Sequence, residues 1–232
     1  YLENHDHARV ISRYGSEDYR VESGKALAAS YMLLSGTPFV YQGQEIGMTN
    51  LRLPRADMYP DVMTRGQVRL ASRWLPEKAV LRLAQDSARE SSRTPMQWTA
   101  GKNAGFTEGE PWFYVNENCR SVNVEAAEAD ENSLLNFYRE LIAFRKREPT
   151  VRYGSYTELI PQSPNFYCYV REYENRRLLV IASLVPRETY FTCPEGFNLL
   201  DGELVLKNHE LNVVVNNAFT ARPYELRVYL FE

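Results

Sequence analysis

Residues 22–48 decide the fold class, and they read ESGKALAASYMLLSGTPFVYQGQEIGM. The first part predicts a helix, because Ser23 can cap its start and Leu27 and Tyr31 share one face at a spacing of four residues. A glycine and a proline then end the helix. Residues 39–41 follow as a short apolar strand, so a strand comes directly after a helix.

The same kind of strand end is predicted at the start of the chain, where a short apolar pair is followed by Asn4, His5 and Asp6. A strand, a crossover helix and a second strand form a βαβ unit with parallel strands, whose carboxyl ends lie at the same edge. In such sheets and barrels, the polar residues beyond those ends form the site. The sequence therefore predicts an α/β fold with this cluster facing Gln44 and Glu45.

From about residue 151 the pattern changes to the period of two that is typical of strands. Phe166 and Cys168 alternate with Tyr167 and Tyr169, and no helix is predicted between the later strands. Short strands separated by turn signals predict an antiparallel β-sandwich. We therefore divide the chain into an α/β part, residues 1–150, and an all-β part, residues 151–232.

Two further helices are predicted in the first part of the chain. Residues 133–149 have a regular apolar face, acidic residues before it and basic residues in its last turn, the charge distribution that the helix dipole favours. The stretch from 50 to 132 is the least regular, and we predict one helix there, at 77–85. A loop of that length is usually functional or forms its own small subdomain.

The composition limits the partners. The 232 residues carry 27 basic and 30 acidic side chains, a net charge of -3 without a basic stripe, which argues against nucleic acid. No apolar run approaches the roughly 20 residues of a membrane span. Cys119, Cys168 and Cys193 are odd in number and far apart, which favours reduced core thiols and a cytoplasmic location over disulfides or a metal site.

A carboxylate beside an imidazole at a strand end can bind sugar hydroxyls, hold a base or ligate a metal. Metal binding is the weakest option, because the remaining histidine, His209, lies in the all-β part. A turn with satisfied polar groups is an equal alternative. Hydrolysis of a glycosidic bond needs two carboxyl groups, and Asp6 with Glu45 is a pair by position alone. Glu45 is better explained as structural, since it follows a glycine turn whose backbone N–H groups a carboxylate can accept.

Longer motifs resemble a known family. They are ENHD (3–6), GTPFVYQGQEIGM (36–48), SRTPMQW (92–98), NAGF (103–106), PWFYVN (111–116) and LIAFRKREP (141–149). Together they resemble the carboxyl-terminal part of α-amylase-superfamily glycoside hydrolases, and most closely the bacterial oligo-1,6-glucosidase and α-glucosidase group. Over residues 1 to about 150 the resemblance is carried by matching sequence motifs. The remaining residues resemble the family only in their place along the chain and in their strand-like pattern.

The resemblance implies the last two βα units of a TIM (β/α)8 barrel, followed by an antiparallel β-sandwich domain. ENHD is similar to the motif after the seventh barrel strand, and PFVYQGQE to that of the eighth. Asp6 would be the catalytic carboxylate that stabilises the transition state. His5, Arg9 and Arg93 would bind substrate, and no cofactor or metal is implied. This chain has His7 and Ala8 where the family usually has Gln-Pro, which loosens the loop because the fixed φ of proline is absent.

The family's nucleophilic Asp and acid/base Glu belong to the fourth and fifth strands, upstream of Tyr1. We therefore expect a fragment of a retaining α-glucosidase that cleaves α-1,6 or α-1,4 bonds at the ends of short oligosaccharides, inactive without the N-terminal part of its barrel. Trehalose-phosphate hydrolase, dextran glucosidase and sucrose isomerase share these motifs and are alternatives.

Two other classes of function are weaker alternatives. The heavy chains of amino-acid transporters reuse this barrel as a structural ectodomain, but they tend to lose the catalytic carboxylates, and this chain has His5 and Asp6. A carbohydrate-binding module in the all-β part would need exposed aromatic rings in a row. Tyr156, Phe166 and their neighbours alternate with core positions instead, so a scaffold is favoured.

Overall fold

The computed structural model describes all 232 residues and contains seven α-helices. The helices are α1 (Val10–Tyr14), α2 (Arg20–Met32), α3 (Val62–Ala71), α4 (Glu77–Ser87), α5 (Val124–Ala129), α6 (Leu134–Arg147) and α7 (Pro149–Tyr153). Short 3-10 turns lie at Ala56–Met58, Arg89–Arg93, Lys102–Gly105 and Glu117–Arg120. The strands are β1 (Ser155–Glu158), β2 (Phe166–Tyr173), β3 (Arg176–Ser183), β4 (Thr189–Thr192), β5 (Glu203–Lys207), β6 (Ala218–Ala221) and β7 (Leu226–Phe231).

The chain forms two compact units. The first consists of Tyr1–Glu17 and Phe39–Asn136, and the second of Asp18–Pro38 and Phe137–Glu232. The second unit therefore takes α2 together with all of the strands, because α2 packs against β3 and β7. The division at residue 150 that we expected from the sequence stays a prediction.

The two stretches that we predicted as barrel strands, residues 1–2 and 39–41, are not assigned as strands. Side chains bond to backbone groups within the second stretch and shortly after the first, and so compete with strand pairing there. The N–H of Tyr41 donates to the side-chain oxygen of Gln44 at 3.1 Å. The N–H of Asp6 similarly donates to Asn4 Oδ1 at 2.9 Å. Both segments end in turns formed by their own polar residues.

Helix α2 differs at both ends from its prediction. It begins three residues before Ser23, whose N–H donates to the carbonyl of Tyr19 at 2.8 Å, so Ser23 lies inside the helix and is not its cap. It ends at Met32, before the glycine turn. The side chain of Arg145 donates to three carbonyl groups at the end of α2 and just beyond it, those of Met32, Leu34 and Gly36. This contact satisfies orphan carbonyl groups that a helix end leaves open.

Helices α4 and α6 confirm their predictions, and α3 was not predicted. Thr64 of α3 is buried and Val68 packs half-buried against a core cluster, while Val62 and Leu70 are exposed, so most of its apolar residues do not mark the inward face. One sequence signal was available. Asp61 precedes the helix and accepts the N–H of Met63 at 2.8 Å, as an N-cap residue does.

The second unit contains the predicted antiparallel sandwich. A five-stranded sheet has the order β1-β2-β3-β7-β5, and β4 pairs with β6 in a separate two-stranded sheet. Core residues from both sheets form one apolar cluster, in which the rings of Phe166 and Phe191 are 5.0 Å apart. The opposite face of β2 is also covered, and the hydroxyl of Tyr169 donates to the Ser30 carbonyl in α2 at 3.2 Å. Two covered faces explain why β2 is almost continuously buried.

The tyrosines of β2 and its neighbours do not form an exposed row. Tyr169 and Phe166 are buried, and the hydroxyl of Tyr156 lies 3.0 Å from that of Tyr167. The rings of these residues contact one another and the core, which supports the scaffold interpretation of the all-β part. None of the seven helices is both long and apolar enough to cross a membrane.

All three cysteines are buried and unpaired in disulfides. Burial raises the pKa of Cys168 to about 12 and that of Cys193 to about 11. Because the thiolate is the reactive form, we expect neither thiol to react with Ellman's reagent at pH 8 in the folded chain. Both should react when urea unfolds the protein. Rapid labelling of Cys168 or Cys193 without denaturant, located by mass spectrometry, would contradict this expectation.

Candidate functional site

The opening motif forms a tight polar turn that presents two side chains to solvent. Asn4 accepts the N–H of Asp6 on its side chain, and its carbonyl accepts the N–H of His7 at 3.4 Å. Asparagine is favoured in such turns because its side chain bonds its own backbone two residues on. The side chains of His5 and Asp6 are 66% and 46% exposed, and His5 Nε2 lies 3.2 Å from Asp6 Oδ2. The predicted pair is therefore assembled and accessible.

Asp6 belongs to a group of four charged side chains, Asp6, Asp61, Arg89 and Arg93, which we call the Asp6–Asp61 cluster. Asp6 Oδ1 accepts from Arg89 Nη1 at 3.1 Å and from Arg93 Nη2 at 2.9 Å. Asp61 Oδ2 accepts from Arg89 Nε at 2.9 Å and from Arg93 Nη1 at 3.1 Å. Two carboxylates and two guanidinium groups balance in charge, and each arginine joins both aspartates.

Asp61 is the more enclosed of the two aspartates, with a side chain 10% exposed. Burial acts to raise the pKa of Asp61, but hydrogen bonds from Arg89 and the Met63 N–H, with the charges of Arg89 and Arg93, lower it below its ordinary value overall. Asp61 is therefore ionised at neutral pH. Sequence reasoning missed both Asp61 and Arg89, because they lie in the irregular stretch and outside the motifs quoted above.

The structure brings Arg93 to Asp6 but holds Arg9 elsewhere. Arg93 also donates from Nε to the carbonyl of His5 at 2.9 Å. Arg9 is fully buried and binds Glu3 Oε1 at 2.7 Å and the Gln42 carbonyl at 2.6 Å, both through Nη1. Its Nε donates to the Ser91 carbonyl at 3.1 Å, while Nη2 has no hydrogen-bond partner. Arg9 thus joins three loops behind the exposed turn, and its role in substrate binding stays a prediction.

Glu45 has the contacts of a structural carboxylate. Burial raises its pKa, and the backbone N–H groups of Glu45 itself and of Gly43, followed by the charge of Arg9, act in the opposite direction. One of its carboxylate oxygens, Oε2, is buried without a hydrogen-bond partner. Asp6 takes its side-chain contacts from Arg89, Arg93 and His5 and not from Glu45, and the contacts of Glu45 agree with the structural explanation given from the sequence.

A cavity of about 340 Å³ opens beside Asp6. Its lining includes His7, Ala8, Arg13, Gln67, Asp86 and Arg89. The two residues that depart from the family pattern, His7 and Ala8, therefore line the cavity next to the cluster. The chain gathers no group of three or more His, Cys, Asp or Glu side chains that could hold a metal ion.

Comparison with known proteins assigns this part of the chain to a family. Residues 1–154 match the Alpha-amylase family model, described as the alpha amylase catalytic domain. The chain belongs to the alpha-amylase family. The matched range includes the exposed turn, the cluster and the cavity. The resemblance that we stated from the motifs is confirmed.

Alpha-amylase relatives match nearly the whole chain. The probable oligo-1,6-glucosidase 2 of Bacillus subtilis (strain 168) is 39% identical over 232 residues, which cover 99% of this chain and 41% of the relative. The crystal structure of Bacillus licheniformis trehalose-6-phosphate hydrolase is 34% identical with a TM-score of 0.93, covering 99% of this chain and 42% of that one. Isomaltulose synthase from Klebsiella sp. LX3 is 33% identical with a TM-score of 0.90, at the same coverage.

The chain spans about two fifths of the length of the curated relatives that it matches. The similarity to solved alpha-amylase family structures confirms the predicted fold class, which is the C-terminal part of a TIM barrel followed by an antiparallel β domain. The relatives carry three different activities in their names, so the comparisons establish a family and not a substrate.

Proposed function

We propose that this chain is part of a retaining α-glucosidase, in which Asp6 stabilises the positive charge of the transition state. The observation that carries the proposal is the Asp6–Asp61 cluster, which holds a half-exposed carboxylate at the tip of a turn inside a matched catalytic domain. Fixed charges aimed at developing charge usually contribute the largest share of a rate enhancement. In the oxocarbenium-like transition state the sugar carries positive charge, and the negative charge of an aspartate stabilises it.

The neighbours of Asp6 divide its two oxygens between different tasks. Both arginines bind Oδ1, and Oδ2 faces only the His5 ring at 3.2 Å. Oδ2 is therefore the oxygen with capacity to accept a sugar hydroxyl. His5 can donate to a hydroxyl from a ring nitrogen, which agrees with its proposed place in the same sugar-binding subsite. Arg93 reaches this region from the irregular stretch that follows residues 39–41, where the sequence predicted the second barrel strand.

Retaining hydrolysis also requires a nucleophile and an acid/base, two carboxyl groups about 5–5.5 Å apart. We propose that the N-terminal part of the same barrel supplies both, and that the 232 residues alone do not hydrolyse glucosides. The test compares the purified chain with a longer protein that includes that part, using p-nitrophenyl α-glucoside. We expect p-nitrophenol only from the longer protein. Release of p-nitrophenol by the 232 residues alone would contradict the proposal that the N-terminal part supplies the nucleophile and the acid/base.

The substrate we favour is a short oligosaccharide with a terminal α-1,6- or α-1,4-linked glucose. The relatives named for oligo-1,6-glucosidase, trehalose-6-phosphate hydrolase and isomaltulose synthase define the alternatives. Isomaltose, maltose, trehalose 6-phosphate and sucrose, offered separately to the longer protein, distinguish them by the products formed. Turnover of none of these, with a folded protein, would favour the non-catalytic alternative.

A further inference from the structure

We propose that Asp61 is a positioning residue for Asp6, which sets the two arginines so that they occupy one oxygen of Asp6 and leave the other open. This inference rests on the role proposed for Asp6. Asp61 itself is much less accessible than Asp6, since its side chain is 10% exposed against 46% for Asp6. It acts through Arg89 and Arg93, each of which bridges the two aspartates.

Asp61 is fixed from three directions. Its Oδ1 accepts the Met63 N–H at the start of α3, and its Oδ2 accepts both arginines. Its own N–H donates to Glu90 Oε1 at 2.9 Å. Glu90 is buried, and its other oxygen accepts the hydroxyl of Thr64 at 2.6 Å. The start of α3 is therefore fastened to the Arg89–Arg93 turn that carries both arginines.

The fixed position of Asp61 sets the orientation of the guanidinium groups of Arg89 and Arg93. A guanidinium is planar with five donors in a rigid fork, so fixing two donors fixes the direction of the others. Arg93 binds the His5 carbonyl through Nε and Asp61 through Nη1, which leaves Nη2 aimed at Asp6. Arg89 binds Asp61 through Nε and Asp6 through Nη1.

Removal of the Asp61 charge leaves two guanidinium groups facing one carboxylate. They are then free to shift toward both oxygens of Asp6, including Oδ2, the oxygen next to His5. Competition at Oδ2 would displace a sugar hydroxyl without removing any group that touches the sugar. The structure thus assigns Asp61 a role in presenting Asp6 rather than in binding substrate.

The test uses the longer glucosidase and the variants Asp61→Asn and Asp6→Asn, alone and combined. A small misplacement of reacting groups costs up to about 10²-fold in rate, so we expect Asp61→Asn to lower kcat by about 10-fold or more with KM little changed. In the Asp6→Asn background, Asp61→Asn should have no further effect on kcat, because the Asp6 carboxylate through which Asp61 acts is already absent. Equal losses in both backgrounds would indicate a merely structural role and overturn the proposal.

A matched control variant and a second measurement test the positioning role of Asp61 separately from the proposed hydrolytic function. Asp57→Asn removes an exposed aspartate that also binds an arginine, Arg55, at 3.0 Å, and should leave kcat unchanged. Hydrogen exchange of the Arg93 Nε–H should be faster in Asp61→Asn than in Asp57→Asn. Unchanged exchange overturns the positioning role whether or not the protein is active. Absence of hydrolysis by the unsubstituted protein, with the exchange result as expected, refutes the proposed function alone.

Discussion

Replacing Arg9 by methionine should lower the free energy of unfolding of this chain by about 3–5 kcal/mol, the usual cost of removing one partner of a buried ion pair. Arg9 and Glu3 are both fully buried, with 2.7 Å between Nη1 and Oε1. Without Arg9, the carboxylate of Glu3 keeps only the Val10 N–H at 2.9 Å as a partner. The carbonyl groups of Gln42 and Ser91 lose a donor as well.

Urea denaturation followed by far-UV circular dichroism measures this loss. Arg13→Met is the matched control, because Arg13 is an exposed arginine in α1 that stacks on Tyr14. Exposed substitutions of this kind usually stay within about 0.5 kcal/mol. Combining Arg9→Met with Glu3→Gln should recover part of the stability, since no charge is then left buried. Similar losses for Arg9→Met and Arg13→Met would contradict the importance of the buried pair.

The pH dependence of the same variant has a definite sign. Burial raises the pKa of Glu3 above its ordinary value of 4.5, and the charge of Arg9 opposes this rise. A group with a raised pKa in the folded state stabilises the fold below the unfolded pKa and loses that contribution as pH rises through the folded pKa. Arg9→Met removes the opposing charge, so the stability of this variant should fall more steeply above pH 4.5 than that of the unsubstituted chain. Adding Glu3→Gln should abolish the difference.

Elements with a regular apolar pattern could be predicted from the sequence, and elements held by side-chain contacts could not. The face of α6 and the alternation in β2 reflect burial, which periodicity reports directly. Helix α3 exposes Leu70 and Val62, and its inward face holds Thr64 and the half-buried Val68, so its apolar pattern does not follow burial. The end of α2 depends on Arg145, more than 100 residues away, and no local signal marks such a contact.

The residues of the candidate site also fall into those that the sequence could predict and those that depend on contacts between distant residues. His5 and Asp6 could be identified because they lie together in one motif whose polar residues form the turn. Asp61 is 55 positions from Asp6, and the ion pairs that join them through Arg89 and Arg93 depend on tertiary structure. Arg9 lies only three residues after Asp6, yet the structure buries it against Glu3. Position in or next to a motif therefore predicts proximity to the site and not the contacts that a side chain makes.

If the proposed function holds, Asp6→Asn should reduce kcat/KM of the longer protein by about 10²–10³-fold, the scale on which loss of one preorganised electrostatic contact acts. Asparagine has nearly the same shape as aspartate but no charge to oppose an oxocarbenium-like sugar. The loss should be specific to catalysis, because Arg89 and Arg93 keep their bonds to Asp61, and an exposed ion pair contributes at most about 1 kcal/mol to stability.

Rates and stability measured on the same samples make this prediction decisive. A transition-state role requires that kcat/KM falls while the urea midpoint stays near that of the unsubstituted protein. Asp57→Asn serves again as the control, since it removes an arginine-bound and more exposed aspartate from the same unit. If Asp6→Asn and Asp57→Asn keep equal activity, the charge of Asp6 does not act on the reaction. In that case the opening motif is a polar turn whose hydrogen bonds only stabilise the fold.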